Sequence, residues 1–299
     1  MRDGYGAAKS LRLRNLDISY LDGGDPKGMP VVLLHGFPDD AHSWDGVVKR
    51  LGSEPLRFLR PWQRGFGASR VTKRSARGGQ AAALAQDVLD FADGLKLDRF
   101  VLVGHDWGSR AAHGAAVLAP KRLLGLLALA TSYGQGTASP EQKLRQEEAF
   151  WYQWFFQTPH GQIVFQQDVN GFCRYLWSSW SPQWQFTREE YEATARSFDN
   201  PQFVDTVLHY YAYRWKNARG SPLYARQQKV IDRVPRVRVP TIFAYGTDDR
   251  CNLPELSIGN ERFYAGSYRR VETPRAGHFI QREFPERVAD LIRELLALI

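Results

Sequence analysis

The stretch that decides the fold reads Val-Leu-Val-Gly-His-Asp-Trp-Gly-Ser-Arg and covers residues 101–110. An apolar run ends in Gly-x-Asp-x-Gly and an alanine-rich segment follows at once, so the stretch predicts a strand, a sharp turn and a helix. Gly104 and Gly108 lack the side chains that would clash across such a turn, which can therefore hold Asp106 in a strained backbone. We expect the Asp106 carboxylate to project above the sheet.

A carboxylate in this position suits displacement at saturated carbon. It is ionised at neutral pH and attacks without a base, whereas its attack on an ester or amide would give only a mixed anhydride. Opening of an epoxide, or displacement of a halide, would leave an alkyl ester on Asp106 that histidine-activated water can hydrolyse. The alternative is that Asp106 merely caps the N-terminus of the following helix.

The chain has 299 residues, of which 43% are hydrophobic. This length and composition are typical of a globular protein with a substantial buried core. Cys173 and Cys251 are too few for a disulfide framework, and no clustered Cys/His pattern indicates a metal, so we expect no metal, no organic cofactor and a reducing, cytoplasmic location. No apolar run approaches the ~20 residues of a membrane span, and residues 1–4 lack the apolar segment of a secretory signal. We therefore expect no membrane partner.

The formal charge of +8 raises the question of nucleic-acid binding. The arginines are scattered along the chain and form no stripe with interleaved aromatic residues, so we expect no nucleic-acid partner. Examples are Arg12, Arg57, Arg122, Arg174, Arg236 and Arg287. The sequence leaves open whether the chain forms a homodimer.

Strand and helix patterns alternate up to about residue 133. The pattern predicts an opening hairpin, a helix that begins at Ser43, a helix over 80–95 and strands over 31–34, 56–59, 100–105 and 123–130. Strand signals then return at 239–245 and 269–272, and a closing amphipathic helix is predicted over 285–299.

Between these parts the pattern is helical, with little β-branched content and six of the nine tryptophans. The six are Trp151, Trp154, Trp177, Trp180, Trp184 and Trp215. We predict a helical cap inserted into an α/β core, with core residues 1–133, cap residues 134–232 and core residues 233–299. Most of these aromatic residues would pack in the core of the cap, and several would surround an apolar ligand.

Over nearly its whole length the chain resembles the epoxide hydrolase and haloalkane dehalogenase branch of the α/β-hydrolase superfamily. The resemblance implies the α/β-hydrolase fold, with a mostly parallel eight-stranded sheet flanked by helices and an inserted helical cap. It also implies the chain order nucleophile, acid, histidine, which gives Asp106, Asp249 and His278. Asp248 is the alternative acid, and His278 is the only histidine after Asp249.

A second motif, His-Gly-Phe-Pro at 35–38, follows a predicted strand. In this family the loop after that strand and the residue after the nucleophile supply the oxyanion hole, which implies the backbone amides of Phe37 and Trp107. His-Gly-Phe-Pro is the form typical of epoxide hydrolases, whereas haloalkane dehalogenases commonly carry Asn or Glu in place of Phe37. Trp62 replaces an Asp of the family's next loop, a departure that bears on the subfamily more than on the chemistry.

The predicted cap offers a test between these two chemistries. Residues 152–159, Tyr-Gln-Trp-Phe-Phe-Gln-Thr-Pro, are similar to the segment in which epoxide hydrolases place a catalytic tyrosine, which implies Tyr152. A phenol can donate its proton to the epoxide oxygen as the ring opens. The family's second tyrosine is expected within 210–215, where we select Tyr211. Either tyrosine could instead serve only in packing.

The combined expectation is an epoxide hydrolase that converts a small apolar or aromatic epoxide to a vicinal diol. The main alternative is a haloalkane dehalogenase, which uses the same triad without needing the tyrosines. A third is a pathway-specific enzyme of the same fold that guides rearrangement or cyclisation, or a binding protein without hydrolysis.

Overall fold

A computed structural model of the chain describes residues 6–134 and 137–299. Its described part contains a nine-stranded sheet. The strands are β1 (Ala7–Arg12), β2 (Leu16–Gly24), β3 (Met29–Leu34), β4 (Leu56–Pro61), β5 (Arg70–Val71), β6 (Phe100–His105), β7 (Leu123–Leu129), β8 (Thr241–Gly246) and β9 (Tyr268–Thr273).

Eight strands follow one another across the sheet in the order β1-β2-β4-β3-β6-β7-β8-β9. The pairs β1/β2 and β2/β4 are antiparallel, and all later pairs in this order are parallel. The predicted opening hairpin and the mostly parallel sheet are thereby confirmed. The ninth strand, β5, adds two residues beside β2 and was not predicted, because two residues carry no hydrophobic period.

The α-helices fall into two groups. Five belong to the α/β core: α1 (Asp45–Leu51), α2 (Ala81–Gly94), α3 (Trp107–Leu118), α11 (Ile280–Glu283) and α12 (Pro285–Leu296). The others lie between β7 and β8: α4 (Pro140–Ala149), α5 (Trp151–Phe155), α6 (Pro159–Gln167), α7 (Val169–Trp180), α8 (Arg188–Ala195), α9 (Phe203–Arg214) and α10 (Ala225–Ile231). Across residues 6–134 and 137–299, every helix is too short or too polar to cross a bilayer.

The helix predicted from Ser43 is preceded by a 3₁₀ turn. This turn covers Ala41–Trp44, and the α-helix proper begins at Asp45. The Asp40 side chain accepts a hydrogen bond from the His42 amide and so starts the turn two residues earlier than predicted.

The central strands separate two hydrophobic clusters because successive side chains of a strand point to opposite faces. In β3, Val31 and Leu33 join the cluster that also buries the apolar face of α12, whereas Val32 and Leu34 join the other cluster. Such burial on both faces explains the continuous apolar runs of the parallel strands.

We call residues 140–231 the helical insertion. Four of its seven α-helices begin at a polar capping side chain that accepts a hydrogen bond from a backbone amide in the first turn: Ser139, Thr158, Asp168 and Thr187. Its aromatic rings pack on the loops after β3 and β4, with Phe203 stacked 6.2 Å from Phe37 and edge-on 5.0 Å from Phe66. The insertion therefore closes over the carboxyl ends of the parallel strands.

Candidate active site

Asp106 occupies the turn between β6 and α3 in a strained backbone conformation. Its φ is 50° and its ψ is −112°, a region that residues with a side chain rarely adopt. A Cβ on Gly104 would lie 2.3 Å from the Gly108 carbonyl oxygen, and one on Gly108 would lie 2.3 Å from the Leu34 carbonyl oxygen. Both glycines are therefore needed for the close approach of strand, turn and helix.

The two oxygens of the Asp106 carboxylate have different surroundings. Oδ1 accepts a hydrogen bond of 3.0 Å from the Phe37 amide. Oδ2 lies 3.5 Å from the Thr131 hydroxyl and 3.8 Å from Nε2 of His278. One oxygen is thus fixed by the backbone, while the other is held only loosely and is free to react.

His278 is paired with Asp249, as the chain order implied. Its Nδ1 lies 3.0 Å from Oδ2 of Asp249, and both side chains are buried. The other oxygen of Asp249 accepts hydrogen bonds from the amides of Cys251, at 2.7 Å, and Asn252, at 2.9 Å. Asp248 is partly exposed and accepts instead from the Thr247 hydroxyl, so geometry selects Asp249.

The charge on His278 depends on opposing influences. Burial lowers the pKa of its imidazole, but Asp249 and then Asp106 raise the pKa by more, so it lies above the ordinary value. With Nδ1–H donated to Asp249, the free base carries its lone pair on Nε2. That atom is buried and has no hydrogen-bond partner in residues 6–134 and 137–299. Nε2 can therefore accept a proton from a water placed between it and Asp106.

The proposed oxyanion donors are placed unequally. The Phe37 amide points at Asp106, as stated above. For the Trp107 amide, the described residues provide no hydrogen bond to this carboxylate. The Trp107 indole ring stacks on the Phe37 ring with centroids 5.5 Å apart, and the indole Nε1 donates a hydrogen bond of 3.2 Å to the Tyr211 hydroxyl.

The two predicted tyrosines meet at this site from different helices. Tyr152 lies on α5 and Tyr211 on α9, and their hydroxyl oxygens are 3.3 Å apart. Nε2 of Gln153 donates a hydrogen bond of 2.8 Å to the Tyr152 hydroxyl. Burial raises the pKa of both phenols well above 10, and the Asp106 charge adds to this rise. Both hydroxyls therefore keep their protons at neutral pH.

Geometry also distinguishes Tyr211 from its neighbours on α9. The Tyr210 ring stacks on the Trp107 indole with centroids 3.8 Å apart, and Tyr213 is partly exposed. Only Tyr211, among these three, brings its hydroxyl within hydrogen-bond distance of Tyr152 and of Trp107.

Known proteins resemble this chain in sequence and in structure. The sequence model of the alpha/beta hydrolase fold matches residues 29–285. The chain belongs to the α/β-hydrolase family. It is 25% identical to Epoxide hydrolase A of Mycobacterium tuberculosis over 92% of each chain, and 25% identical to Epoxide hydrolase 4 of Mus musculus over 93% of this chain and 75% of that one.

A solved structure is also similar to this chain over nearly its whole length. The crystal structure of a Klebsiella pneumoniae protein described as a candidate epoxide hydrolase is 30% identical to this chain, with a TM-score of 0.90 and coverage of 98% of both chains. Because these relatives are named as epoxide hydrolases, we conclude that this α/β-hydrolase is an enzyme.

A cleft of about 420 Å³ lies near the Asp106 carboxylate of this α/β-hydrolase. Thr131 and Asn252 line it, and Nδ2 of Asn252 donates a hydrogen bond of 3.2 Å to the Thr131 hydroxyl. That hydroxyl in turn faces Oδ2 of Asp106, so the cleft comes within one side chain of the carboxylate. Asp106 itself does not line the cleft.

Several side chains of this site were not predicted. Thr131 follows β7 at the carboxyl edge of the sheet, where ligands of parallel sheets bind, and this position could have indicated it. Gln153 is visible in the Tyr-Gln motif. Ser181 and Glu283, which bind each other at 2.7 Å behind His278, carry no sequence signal, because they meet only when the helical insertion docks.

In residues 6–134 and 137–299, no group of three or more His, Cys, Asp or Glu side chains is arranged to hold a metal ion. Cys173 and Cys251 are both buried and free.

Proposed function

We propose that this α/β-hydrolase opens an epoxide to a vicinal diol through an alkyl ester on Asp106. The observation that carries the proposal is the meeting of two protonated phenols, Tyr152 and Tyr211, beside the nucleophile. The names of the relatives support epoxide hydrolysis as the overall reaction. We also assign residues 134–232 as a cap that supplies these phenols to a core formed by residues 1–133 and 233–299.

In the first step, Oδ2 of Asp106 attacks an epoxide carbon and the carbon–oxygen bond of the ring breaks. The departing oxygen takes a proton from Tyr152 or Tyr211, so no free alkoxide forms. Two donors 3.3 Å apart can both lie within about 2.8 Å of a single oxygen. The product of this step is a β-hydroxyalkyl ester on Asp106 and one phenolate, which is reprotonated from water before the next turnover.

In the second step, Nε2 of His278 takes a proton from a water, and the resulting hydroxide attacks the ester carbonyl carbon. The negative charge develops on Oδ1, where the Phe37 amide already donates and where the Trp107 amide would add a second hydrogen bond. Collapse breaks the bond between the carbonyl carbon and the former Oδ2, which takes the proton back from the His278 imidazolium as the diol leaves. The solvent oxygen stays on Asp106, whose carboxylic acid then loses its proton to solvent. Asp249 stabilises the imidazolium that forms meanwhile.

Halide displacement is the alternative that uses the same triad. A halide leaves without a proton and needs no phenol, so the paired tyrosines would have no function in that reaction. The indole N–H of Trp107, which could help to hold a halide, is already donated to Tyr211. Both observations favour epoxide opening.

The test is to trap the ester in the variant His278→Gln. We expect incubation with styrene oxide or 1,2-epoxyhexane to increase its intact mass by the mass of one epoxide, with the modification on the peptide that contains Asp106. The matched control is His160→Gln, which makes the same change on an exposed residue of the helical insertion and should turn over without an adduct. A double variant that also carries Asp106→Asn should stay unmodified.

Two results would contradict the proposal. The first is an adduct from 1-bromohexane but from neither epoxide, which would indicate a dehalogenase. The second is diol formation by the wild type in ¹⁸O-labelled water, under single-turnover conditions, without any label on Asp106.

A further inference from the structure

Two arginines face the cleft beside the nucleophile without a counter-ion. Arg110 and Arg214 both line the cleft, and both are only partly exposed. Throughout residues 6–134 and 137–299, neither guanidinium has a hydrogen bond or an ion pair with a protein group. The Arg214 guanidinium does lie over the Phe150 and Trp215 rings, at 4.8 and 5.4 Å from their centroids. Stacking of this kind uses the flat face of the group and leaves its N–H edges free.

Other largely buried arginines of the same chain are neutralised. Arg64 donates two hydrogen bonds of 2.7 Å to Asp87, and Arg282 donates one of 2.6 Å to Asp39. A buried charge without a partner is costly, so proteins rarely keep one unless a ligand completes it. Arg110 and Arg214 lack the carboxylate partner that Arg64 and Arg282 have.

The charges around the cleft favour an anion. Burial lowers the pKa of Arg214, and the nearby positive charge of Arg110 lowers it further, so the two guanidinium groups repel each other. The pKa of Arg110 itself is raised, because its burial is outweighed by Tyr210 and Asp106, so Arg214 is the less compensated of the two charges. Lys143 adds a third positive charge to the lining, against the single carboxylate of Glu147. An anion between the two arginines would relieve their repulsion and pair their free N–H groups.

We propose that Arg110 and Arg214 bind the carboxylate of an acidic epoxide, an inference that rests on the proposed function for the epoxide end of the molecule. A carboxylate matches the forked N–H geometry of a guanidinium, which can bind both of its oxygens. The volume of about 420 Å³ lies within the range of small-molecule sites. Other polar side chains also line the cleft, among them Ser132, Gln146 and Asn252.

The position of Arg110 connects this anion site to the reaction. Its amide donates to the Asp106 carbonyl oxygen at 3.1 Å, one helical turn after the nucleophile. Asp106 directly precedes α3 and Arg110 lies in the first turn of that helix. The charge of Asp106 acts on the Arg110 guanidinium: burial lowers the pKa of Arg110, but the Tyr210 and Asp106 side chains raise it by more. A carboxylate bound at Arg110 would therefore place an epoxide group, a few bonds away in the same molecule, near Asp106 and beyond Thr131. The positive charge of Arg110 would also offset the repulsion between an anionic substrate and the anionic nucleophile.

The first experiment compares two epoxides, 4-(oxiran-2-yl)benzoate and its methyl ester, which replaces the negative charge by one methyl group. The quantity measured is the ratio of kcat/KM for the acid to kcat/KM for the ester. A hydrogen bond to a charged group corresponds to a factor of about 10 to 100, so Arg214→Gln and Arg110→Gln should each lower the ratio by that factor. Arg214→Lys, which keeps the charge, should recover part of it.

The control for overall charge is Arg226→Gln, which removes one positive charge from an exposed position on α10 and should leave the ratio unchanged. Thermal unfolding of each variant checks that it is folded. If the ester is opened but Arg214→Gln leaves the ratio within twofold of the wild type, the anion site is refuted and the proposed function stands.

A binding measurement decides the inference even if neither epoxide is opened, which would count against the proposed function instead. By isothermal titration calorimetry, phenylacetate should bind the wild-type protein, and at least tenfold more weakly the Arg214→Gln variant. The neutral analogue phenylacetamide should bind both proteins equally. Phenylacetate that does not bind, or that binds both proteins alike, overturns the inference.

Discussion

Removal of the two phenols tests the acid that opens the ring. We consider Tyr152→Phe, Tyr211→Phe and the double variant, each of which removes a hydroxyl and leaves the ring in place. A positioned general acid contributes a factor of about 10² to 10⁴. Because the hydroxyls are 3.3 Å apart, the phenol that remains in a single variant can still protonate the departing oxygen. We therefore expect a loss near the lower limit, about 10² in kcat/KM, for each single variant.

The double variant lacks both phenols, and the loss should be about 10⁴, the product of the two single losses. In free energy these are about 2.7 and about 5.4 kcal/mol of transition-state stabilisation. Each substitution also leaves a buried donor without its acceptor, Nε2 of Gln153 in one case and Nε1 of Trp107 in the other. We expect each single variant to lose about 1–3 kcal/mol of unfolding free energy.

The assay is stopped-flow tryptophan fluorescence during a single turnover of an epoxide. It reports on the alkylation step because the Trp180 ring lies 5.0 Å from the Tyr152 ring. Tyr175→Phe, on an exposed tyrosine of the helical insertion, is the matched control and should behave as the wild type. A double variant that is folded and keeps more than a tenth of the wild-type alkylation rate would refute the role of the phenols.

Two further predictions concern His278 and its support. The rate of ester hydrolysis should fall as the pH decreases through the pKa of His278, because a protonated Nε2 cannot accept a proton. In the free protein burial lowers that pKa and Asp249 and then Asp106 raise it by more, but the ester removes the Asp106 charge, so the midpoint should lie below the pKa of His278 in the free protein; a single-turnover rate that does not fall at low pH would contradict the assignment. Ser181→Ala should lower the unfolding free energy by about 1–3 kcal/mol and so lower the melting temperature. The reason is that the Ser181 hydroxyl donates a hydrogen bond of 2.7 Å to Glu283 and accepts one of 2.8 Å from the His278 amide. An unchanged melting temperature would show that these hydrogen bonds between the helical insertion and the core do not stabilise the protein.

The α/β core was largely predictable because its signals are local. Continuous apolar runs indicated the parallel strands, and the hydrophobic period indicated α2 and α12. The strained turn at Asp106 was equally local, since Gly104 and Gly108 stand two residues to either side of it. The chain order of the family then limited the histidine to His278. The two-residue β5 and the early start of the first turn were not predictable, because a few residues do not establish a period.

What only the tertiary structure decided is which of several neighbouring side chains reach the site. A helical pattern indicates which face of α9 is apolar, but the docking angle of the helix determines that Tyr211, and not Tyr210, brings its hydroxyl to Tyr152. Likewise, the chain order of the family favoured Asp249 but left Asp248 as the alternative, and the fold of the loop after β8 places Asp249 against His278.

The same distinction applies to the charges. The sequence presents forty lysines and arginines of equal formal charge. Folding pairs Arg64 with an aspartate 23 positions away and Arg282 with one 243 positions away, and it leaves Arg110 and Arg214 together in a cleft. Local sequence determines backbone conformation, because sterics act between adjacent residues, whereas the environment of a charge depends on side chains that only long-range packing brings near.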